Sequence, residues 1–166
     1  MNYNNDLEYQ SIVNDILNND DFKKLSKITH HGTTRDIHCL RVSYMAYKKA
    51  KKNGLDYVSA ARGGLLHDFF FTNKYDTREE RKEMFLKHPS IALDNATKDF
   101  KLNDIEKDAI LNHMYPATKE KPKYDESVLV SLCDKKVAVK ELTRSKKYRM
   151  QCASNVFLIL LFNALS

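Results

Sequence analysis

Apolar residues recur at helical spacing along nearly the whole chain, in segments separated by short polar turns. The segments with this spacing are residues 6–18, 22–25, 33–53, 57–70, a short stretch after 77, 89–99, 103–114, 125–142 and 156–162. Residues typical of helix ends flank several of them: Thr33 or Thr34 can cap the third segment, and Gly54 ends it. The pattern predicts helices throughout and no convincing β-sheet.

Two further signals mark helix starts in the middle of the chain. Thr77 and Glu80 have the spacing of a capping box, which predicts the start of a short helix. His88 followed by Pro89 predicts another start, with the proline at the first helical position and His88 as the N-cap. Only four glycines and three prolines interrupt the 166 residues. The predicted fold class is therefore all-α, a single-domain bundle of about seven or eight helices.

The ends of the chain and its cysteines indicate a cytoplasmic protein. No basic, apolar leader opens the sequence, and the three cysteines are odd in number and widely spaced, which favours reduced thiols. The apolar run 156–162 falls far short of the ~20 residues that a membrane-spanning helix needs. We expect this terminal helix to pack on the core or on the second subunit of a homodimer.

The net charge of +6 comes mostly from lysines spread over several predicted helices. An evenly spread lysine surface more often keeps a protein in solution than binds nucleic acid, and no nucleic-acid-binding motif is present. A helical nucleic-acid-binding protein with structural histidines stays open as an alternative. A basic surface around a metal site would equally suit an anionic, phosphate-bearing substrate.

Six side chains of metal-ligand type follow one another along the predicted helices. They are His38, His67, Asp68, His88, His113 and Asp134. Asp134 falls on the apolar face that contains Val130, and His67 follows Gly63 and Gly64, where a neighbouring helix can come close. A buried carboxylate needs a cation, a proton or another partner. Each histidine alone is more often a hydrogen-bonded core residue, but the set together predicts a site for one or two divalent ions.

The order of these six residues resembles the signature of the HD superfamily of metal-dependent phosphohydrolases. The phrases at residues 31–38, 60–68 and 87–89 are also similar to those of small stand-alone bacterial members. The resemblance covers about residues 30–140. It implies an HD-type metal-binding core, preceded by short helices and followed by the apolar C-terminal helix.

The resemblance also implies roles for the six residues. One ion would be held by His38, His67, Asp68 and Asp134. His88 and His113 mark members with a second ion, bridged by Asp68, and their presence favours two ions over one. Mn, Fe, Co, Ni, Zn and Mg all suit these ligands. The implied reaction is attack of a metal-bound hydroxide on a small phosphate ester such as a nucleotide, with Asp68 as a catalytic residue.

Three basic residues are candidates for contact with the phosphate of the substrate. Arg35, one turn before His38, is the first choice for substrate binding and catalysis because its planar fork suits two phosphate oxygens. Lys135 and Lys74 are weaker candidates, since a surface or intrahelical ion pair accounts better for each lysine.

The stretch after His67-Asp68 departs from the family pattern. Nucleotidase-type members have a glutamate there that assists the water, whereas this chain has phenylalanine at 69–71 and threonine at 72. The Gly-Lys and longer signature of cyclic-dinucleotide phosphodiesterases are also absent, which argues against that activity. The leading hypothesis is a metal-dependent phosphohydrolase. The alternatives are a catalytically silent HD-fold module that binds metal or ligand, and an iron-dependent oxygenase of the same fold.

Overall fold

The computed structural model describes residues 3–30, 32–72 and 76–164, with side chains through residue 146 apart from that of His30. Its α-helices are α1 (Leu7–Asn18), α2 (Asp20–Lys24), α3 (Arg35–Lys52), α4 (Tyr57–Leu66), α5 (Arg78–Asp99), α6 (Asp104–Asn112) and α7 (Asp125–Ala164). Two single-turn 3-10 helices, Tyr3–Asn5 and Leu25–Lys27, and the two-residue strands β1 (Thr29–His30) and β2 (Thr33–Thr34) accompany them. The prediction of an all-α fold is confirmed.

Helix α4 lies between α3 and α6, and its glycines allow both neighbours to approach closely. A Cβ at Gly63 would lie 2.9 Å from the Cβ of Ala109 in α6, and one at Gly64 would lie 3.0 Å from the Cα of Ser43 in α3. Both distances are shorter than ordinary van der Waals contact, so a side chain there would push a helix away. The close approach predicted for these glycines occurs on both sides of α4. The C-terminal end of α4 therefore lies between α3 and α6.

Polar contacts fix α1 to this central group. The hydroxyl of Tyr9 donates a hydrogen bond of 2.7 Å to the Oγ of Ser43. Arg62 in α4 donates to the carbonyl oxygen of Ile12 at 3.1 Å and to Oε1 of Glu106 in α6 at 2.9 Å. A single guanidinium therefore joins three helices at the edge of the core.

Helix α5 is one continuous helix where the sequence predicts two. The predicted capping box is confirmed, since the backbone N–H of Glu80 donates to the Oγ1 of Thr77 at 3.1 Å. The helix then continues through Pro89, so His88 lies inside it and the prediction of an N-cap there is wrong. Proline leaves the carbonyl of Phe85 without its helical partner. Pro89 is buried, and its packing against the rest of the fold compensates for that one bond.

Helices α4 and α6 end earlier than the sequence predicts. The first ends at Leu66 rather than near residue 70, and the second ends at Asn112 rather than near 114. His67, Asp68 and His113 therefore lie immediately after a helix. Side chains in the first turn after a helix are not confined to the helix surface, so they can turn toward a common centre.

Helix α7 extends well beyond the predicted end near residue 142. It continues to Ala164 because no proline or glycine interrupts residues 125–164, and the predicted terminal helix at 156–162 is part of it. The side chains of 156–162 lie outside the described residues, so their packing on the core or on a second subunit stays a prediction. Within the described residues, no helix combines the length and hydrophobicity needed to span a membrane.

The segment before α3, predicted as a loop, contains one short antiparallel pairing. Thr29 pairs with Thr34, and His30 pairs with Thr33. Thr34 occupies the N-cap position of α3 without a side-chain capping bond, because its hydroxyl donates to the carboxylate of Asp36 instead.

Candidate metal centre

The six metal-ligand side chains predicted from the sequence meet at one place in the fold. His38 comes from α3, His67 and Asp68 from the turn after α4, His88 from α5, His113 from the turn after α6 and Asp134 from α7. Five helices converge there, although the first and last of these residues are 96 positions apart. Asp134 is partly exposed, and the other five are buried.

Asp68, His88 and His113 form one group of potential ligands. Their ligand atoms all lie within 4.8 Å of one another. Oδ1 of Asp68 lies 3.3 Å from Nε2 of His88 and 3.7 Å from Nε2 of His113. The two Nε2 atoms are only 3.0 Å apart.

A second group surrounds Asp134. Its Oδ1 lies 3.1 Å from Nε2 of His38 and 3.7 Å from Nε2 of His67. The same Nε2 of His67 lies 4.0 Å from Oδ2 of Asp68, which connects this group to the first. The carboxylate of Asp68 therefore lies between the two groups, where two ions could share it.

Backbone carbonyls determine which nitrogen of three imidazoles faces the site. Nδ1 of His67 and of His113 each donates to the carbonyl oxygen three residues earlier, at 2.9 and 2.7 Å. Nδ1 of His88 lies 3.3 Å from the carbonyl oxygen four residues earlier. In this tautomer every Nε2 carries a lone pair directed into the site.

The Nε2 lone pairs that face the site are suited to bind a cation. Two unprotonated nitrogens 3.0 Å apart, as in His88 and His113, repel each other unless a proton or a cation lies beside them. Nε2 of His67 is buried and makes no hydrogen bond within the described residues. Inward imidazole nitrogens combined with carboxylate oxygens are the donor set that divalent transition metals prefer, so the residues fit such ions.

The pKa values of His113 and Asp134 keep these two donors in the protonation state that binds metal. Burial, reinforced by the nearby His67 and His88, lowers the pKa of His113 to about 3, so that imidazole is neutral at neutral pH. Burial alone would raise the pKa of Asp134, but the hydrogen bond with His38 and the nearby imidazole of His67 outweigh it and hold that pKa well below its ordinary value. A neutral imidazole and an ionised carboxylate are the protonation states that bind metal.

His38 has a buried carboxylate behind it that the sequence analysis missed. Oε2 of Glu141 lies 2.8 Å from Nδ1 of His38, and Oε1 accepts a hydrogen bond of 2.8 Å from Nη1 of Arg41. Glu141 is seven residues after Asp134, which puts both on one face of α7. That spacing is the signal that could have found it.

A cavity of about 690 Å³ opens onto the group. Four of the candidate ligands line it, namely Asp68, His88, His113 and Asp134. The rest of its lining is mostly apolar and includes Phe70, Met84, Phe85, Met114 and Ala138. The site thus combines a polar patch with an apolar wall, as small-molecule sites usually do.

Arg35 lines this cavity, but its guanidinium also holds the chain that follows Asp68. It lies 3.6 Å from the ring centroid of Phe70 and donates to the carbonyl oxygen of that residue. A second hydrogen bond of 3.1 Å runs from Nη2 to the carbonyl oxygen of Thr72. The fork that the sequence analysis assigned to phosphate is therefore partly engaged with the backbone.

Lys135 also lines the cavity and is similarly engaged. Its Nζ donates to the carbonyl oxygen of His113 at 2.9 Å and to Oγ of Ser131 at 2.7 Å. Burial lowers the pKa of Lys135. Lys74, the third predicted phosphate contact, lies outside the described residues.

Comparisons with known proteins agree with this arrangement. Two similar solved structures are of the HD domain of the L. monocytogenes phosphodiesterase PgpH. One has a TM-score of 0.55 and 16% identity, covering 82% of this chain and 86% of that chain. The other, in complex with cyclic-di-AMP, has a TM-score of 0.51 and 15% identity with the same coverage of 82% and 86%. At such identities they show a shared fold alone.

None of the curated proteins matches the chain. The family model described as HD domain matches residues 35–138, which is more than half of the chain and includes all six candidate ligands. The resemblance found in the sequence is confirmed: this chain belongs to the HD-domain family.

Proposed function

We propose that this protein is a divalent-metal-dependent phosphohydrolase that cleaves a small phosphate ester such as a nucleotide. The observation that carries the proposal is the pair of Nε2 atoms of His88 and His113, 3.0 Å apart beside the Asp68 carboxylate, on the wall of a cavity. Membership of the HD-domain family supports the same class of reaction. The complex of the PgpH HD domain with cyclic-di-AMP supports a nucleotide as substrate.

Two ions would divide the ligands between them. The first would be held by His38, His67, Asp68 and Asp134, and the second by Asp68, His88 and His113. When bound, divalent ions supply Lewis acidity, which makes water more acidic and neutralises charge on phosphoryl oxygens. Imidazole-rich ligands favour Mn, Fe, Co, Ni or Zn over Mg.

The residues of the chain perform the remaining steps. Asp68 and Asp134 are the carboxylates that line the cavity within the described residues, and we assign removal of the proton from the attacking water to Asp68. His113 stays neutral, since its pKa is about 3, and so does not serve as an acid at neutral pH. Water can reach both carboxylates from the cavity that they line.

Positive charge at the cavity favours an anionic substrate. Arg35 and Lys135 both line the space, and their charge acts on a phosphate even though each also donates to backbone carbonyls. Arg35 further holds the segment that carries Asp68 in place. Lys74 is kept as a weaker candidate for the same phosphate.

The test is metal content followed by a substrate panel. We expect about two divalent ions per chain by elemental analysis of protein purified without chelators. We then expect release of phosphate or cleavage of a phosphodiester from at least one of a panel of nucleotides, aryl phosphates and cyclic dinucleotides, including cyclic-di-AMP. Asp68→Ala should abolish both activity and most metal binding. Unchanged metal content in Asp68→Ala would show that the site is assigned wrongly.

One observation favours a second candidate function. The residues immediately after Asp68 are Phe69 and Phe70, both buried, and they offer no carboxylate to assist a water. A catalytically silent HD module that binds a metal or a ligand would keep the site and lack this group. Two bound ions with no turnover of any member of the panel would establish this alternative.

A further inference from the structure

Three cationic side chains line the cavity, and they differ in what they contact. Arg35 and Lys135 donate to backbone carbonyls, as described above. Arg81 also lines the cavity, and its guanidinium makes no hydrogen bond or ion pair with any residue in the described ranges. It is exposed to solvent. Of the three, Arg81 is the cation with its full set of donors available to a ligand.

The position of Arg81 on α5 relates it to the metal centre. Arg81 precedes His88 by seven residues, which is almost two helical turns, so both lie on one face of the helix. The separation along the axis is about 10 Å at 1.5 Å per residue. Met84 and Phe85 lie between them, and both line the same cavity. Along the cavity wall formed by α5, the candidate ligand His88 is therefore followed by two apolar side chains and then by the cationic Arg81.

We propose that the cavity binds a phosphate ester that carries a second anionic group, held by Arg81, whose position on α5 is about 10 Å from that of His88 along the helix axis. The body of the molecule between the two anions lies on Met84 and Phe85 and is apolar or planar. This inference rests on the proposed function, and it adds a substrate class and a residue that selects it.

The chemistry of the wall supports this class of ligand. A guanidinium binds a phosphate or carboxylate with two parallel hydrogen bonds. An apolar surface gains from contact with an aromatic or aliphatic body but gives nothing to inorganic phosphate. The cavity, at about 690 Å³, is far larger than a single phosphate needs. Inorganic phosphate would leave both Arg81 and the apolar wall without contact.

The experiment compares two rigid probes that differ only in the second anion. Biphenyl-4-phosphonate and biphenyl-4,4′-bisphosphonate cannot be hydrolysed, and the bisphosphonate separates its anions by roughly the axial separation of Arg81 and His88 on α5. Binding to the metal-loaded full chain is measured by calorimetry for wild type, Arg81→Ala and Arg81→Lys. Arg78→Ala is the matched control, because Arg78 is in the same first turn of α5 and does not line the cavity.

We expect wild type to bind the bisphosphonate about tenfold more tightly than the monophosphonate, as for one charge-assisted contact at a partly solvated site. Arg81→Ala should remove that preference and leave monophosphonate binding unchanged. Arg81→Lys should keep part of it, and Arg78→Ala should keep all of it. Equal affinity of wild type for the two probes, or an unchanged preference in Arg81→Ala, would overturn the inference.

Its failure is distinguishable from failure of the proposed function. If the protein hydrolyses phosphate esters but ignores the second anion, the hydrolase stands and the role of Arg81 is wrong. If the bisphosphonate binds through Arg81 but no ester is cleaved, the ligand class stands and the protein is the silent module. Failure of both probes to bind metal-loaded protein would overturn the ligand class.

Discussion

Replacement of Glu141 should weaken metal binding without touching a proposed ligand. Its carboxylate lies 2.8 Å from Nδ1 of His38, whose ring is fully buried, and it orients that ring so that Nε2 faces Asp134. In Glu141→Ala the buried Nδ1–H of His38 loses its acceptor. A buried donor without a partner costs about 1–3 kcal/mol.

We expect Glu141→Ala to weaken metal affinity by a free energy similar to this cost. Removal of a carboxylate that orients a metal-binding histidine typically weakens the metal about 10- to 100-fold. Glu141→Gln keeps an acceptor oxygen but loses the charge, so we expect a loss below about tenfold. Arg41, the other partner of Glu141, is partly exposed and can be solvated when the carboxylate is gone, so its contribution is small.

The assay is equilibrium dialysis of Mn²⁺ or Zn²⁺ against a competing chelator, with the number of ions and each affinity as the readout. Glu126→Ala is the control, because it makes the same change on the same helix, where Glu126 accepts a hydrogen bond of 2.9 Å from the backbone N–H of Asp56 and is not part of the metal-ligand groups. Urea unfolding of the metal-free variants separates a loss of folding from a loss of metal affinity. The reasoning fails if Glu141→Ala binds as many ions as Glu126→Ala with equal affinity.

Three further outcomes are expected. His88→Ala should remove the second ion and keep the first, which elemental analysis would detect as a fall from about two to about one per chain. Gly64→Val should destabilise the fold by about 1–3 kcal/mol in urea unfolding, because a Cβ there meets the Cα of Ser43 at 3.0 Å; a change near zero would contradict the packing. Metal-free protein should be most stable near pH 6.5 when unfolding is followed across pH in chelator. Burial lowers the pKa of His38, but hydrogen bonds to Asp134 and Glu141 outweigh it and raise that pKa to about 9, so its contribution is lost as pH rises through that value. His113 has a pKa of about 3, so below pH 6.5 the unfolded chain takes up a proton there that the folded chain does not, and stability falls. A flat profile would contradict both pKa shifts.

The ligand residues could be predicted because each belongs to a recognisable local pattern. Asp134 follows the apolar stripe of its helix, and His67 follows two glycines whose use the fold confirms. The chemistry of single residues therefore predicted which six side chains come together in the fold. The order of the six residues also matches the signature of the HD superfamily, and this match indicated metal binding more strongly than their spacing alone.

The helix ends and the outer partners were not predictable in the same way. Pro89 lies inside α5 because its burial in the folded protein outweighs the tendency of proline to end a helix. The sequence shows that tendency but not the burial. Glu141 meets His38 across 103 residues of chain, a contact that depends on how α3 and α7 pack. The engagement of Arg35 with the carbonyls of Phe70 and Thr72 likewise exists only once the turn after α4 has formed.

The convergence of five helices on one site has a consequence for the unfolded chain. An ion held jointly by His38 and Asp134 would close a loop whose ends are 96 positions apart, and so act as a reversible cross-link. For a permanent link, closing a loop of that size removes on the order of 5 kcal/mol of chain entropy from the unfolded state. Metal supply would then govern how long the protein survives heat or proteases, apart from any catalysis. A partly loaded preparation should melt as two populations rather than one.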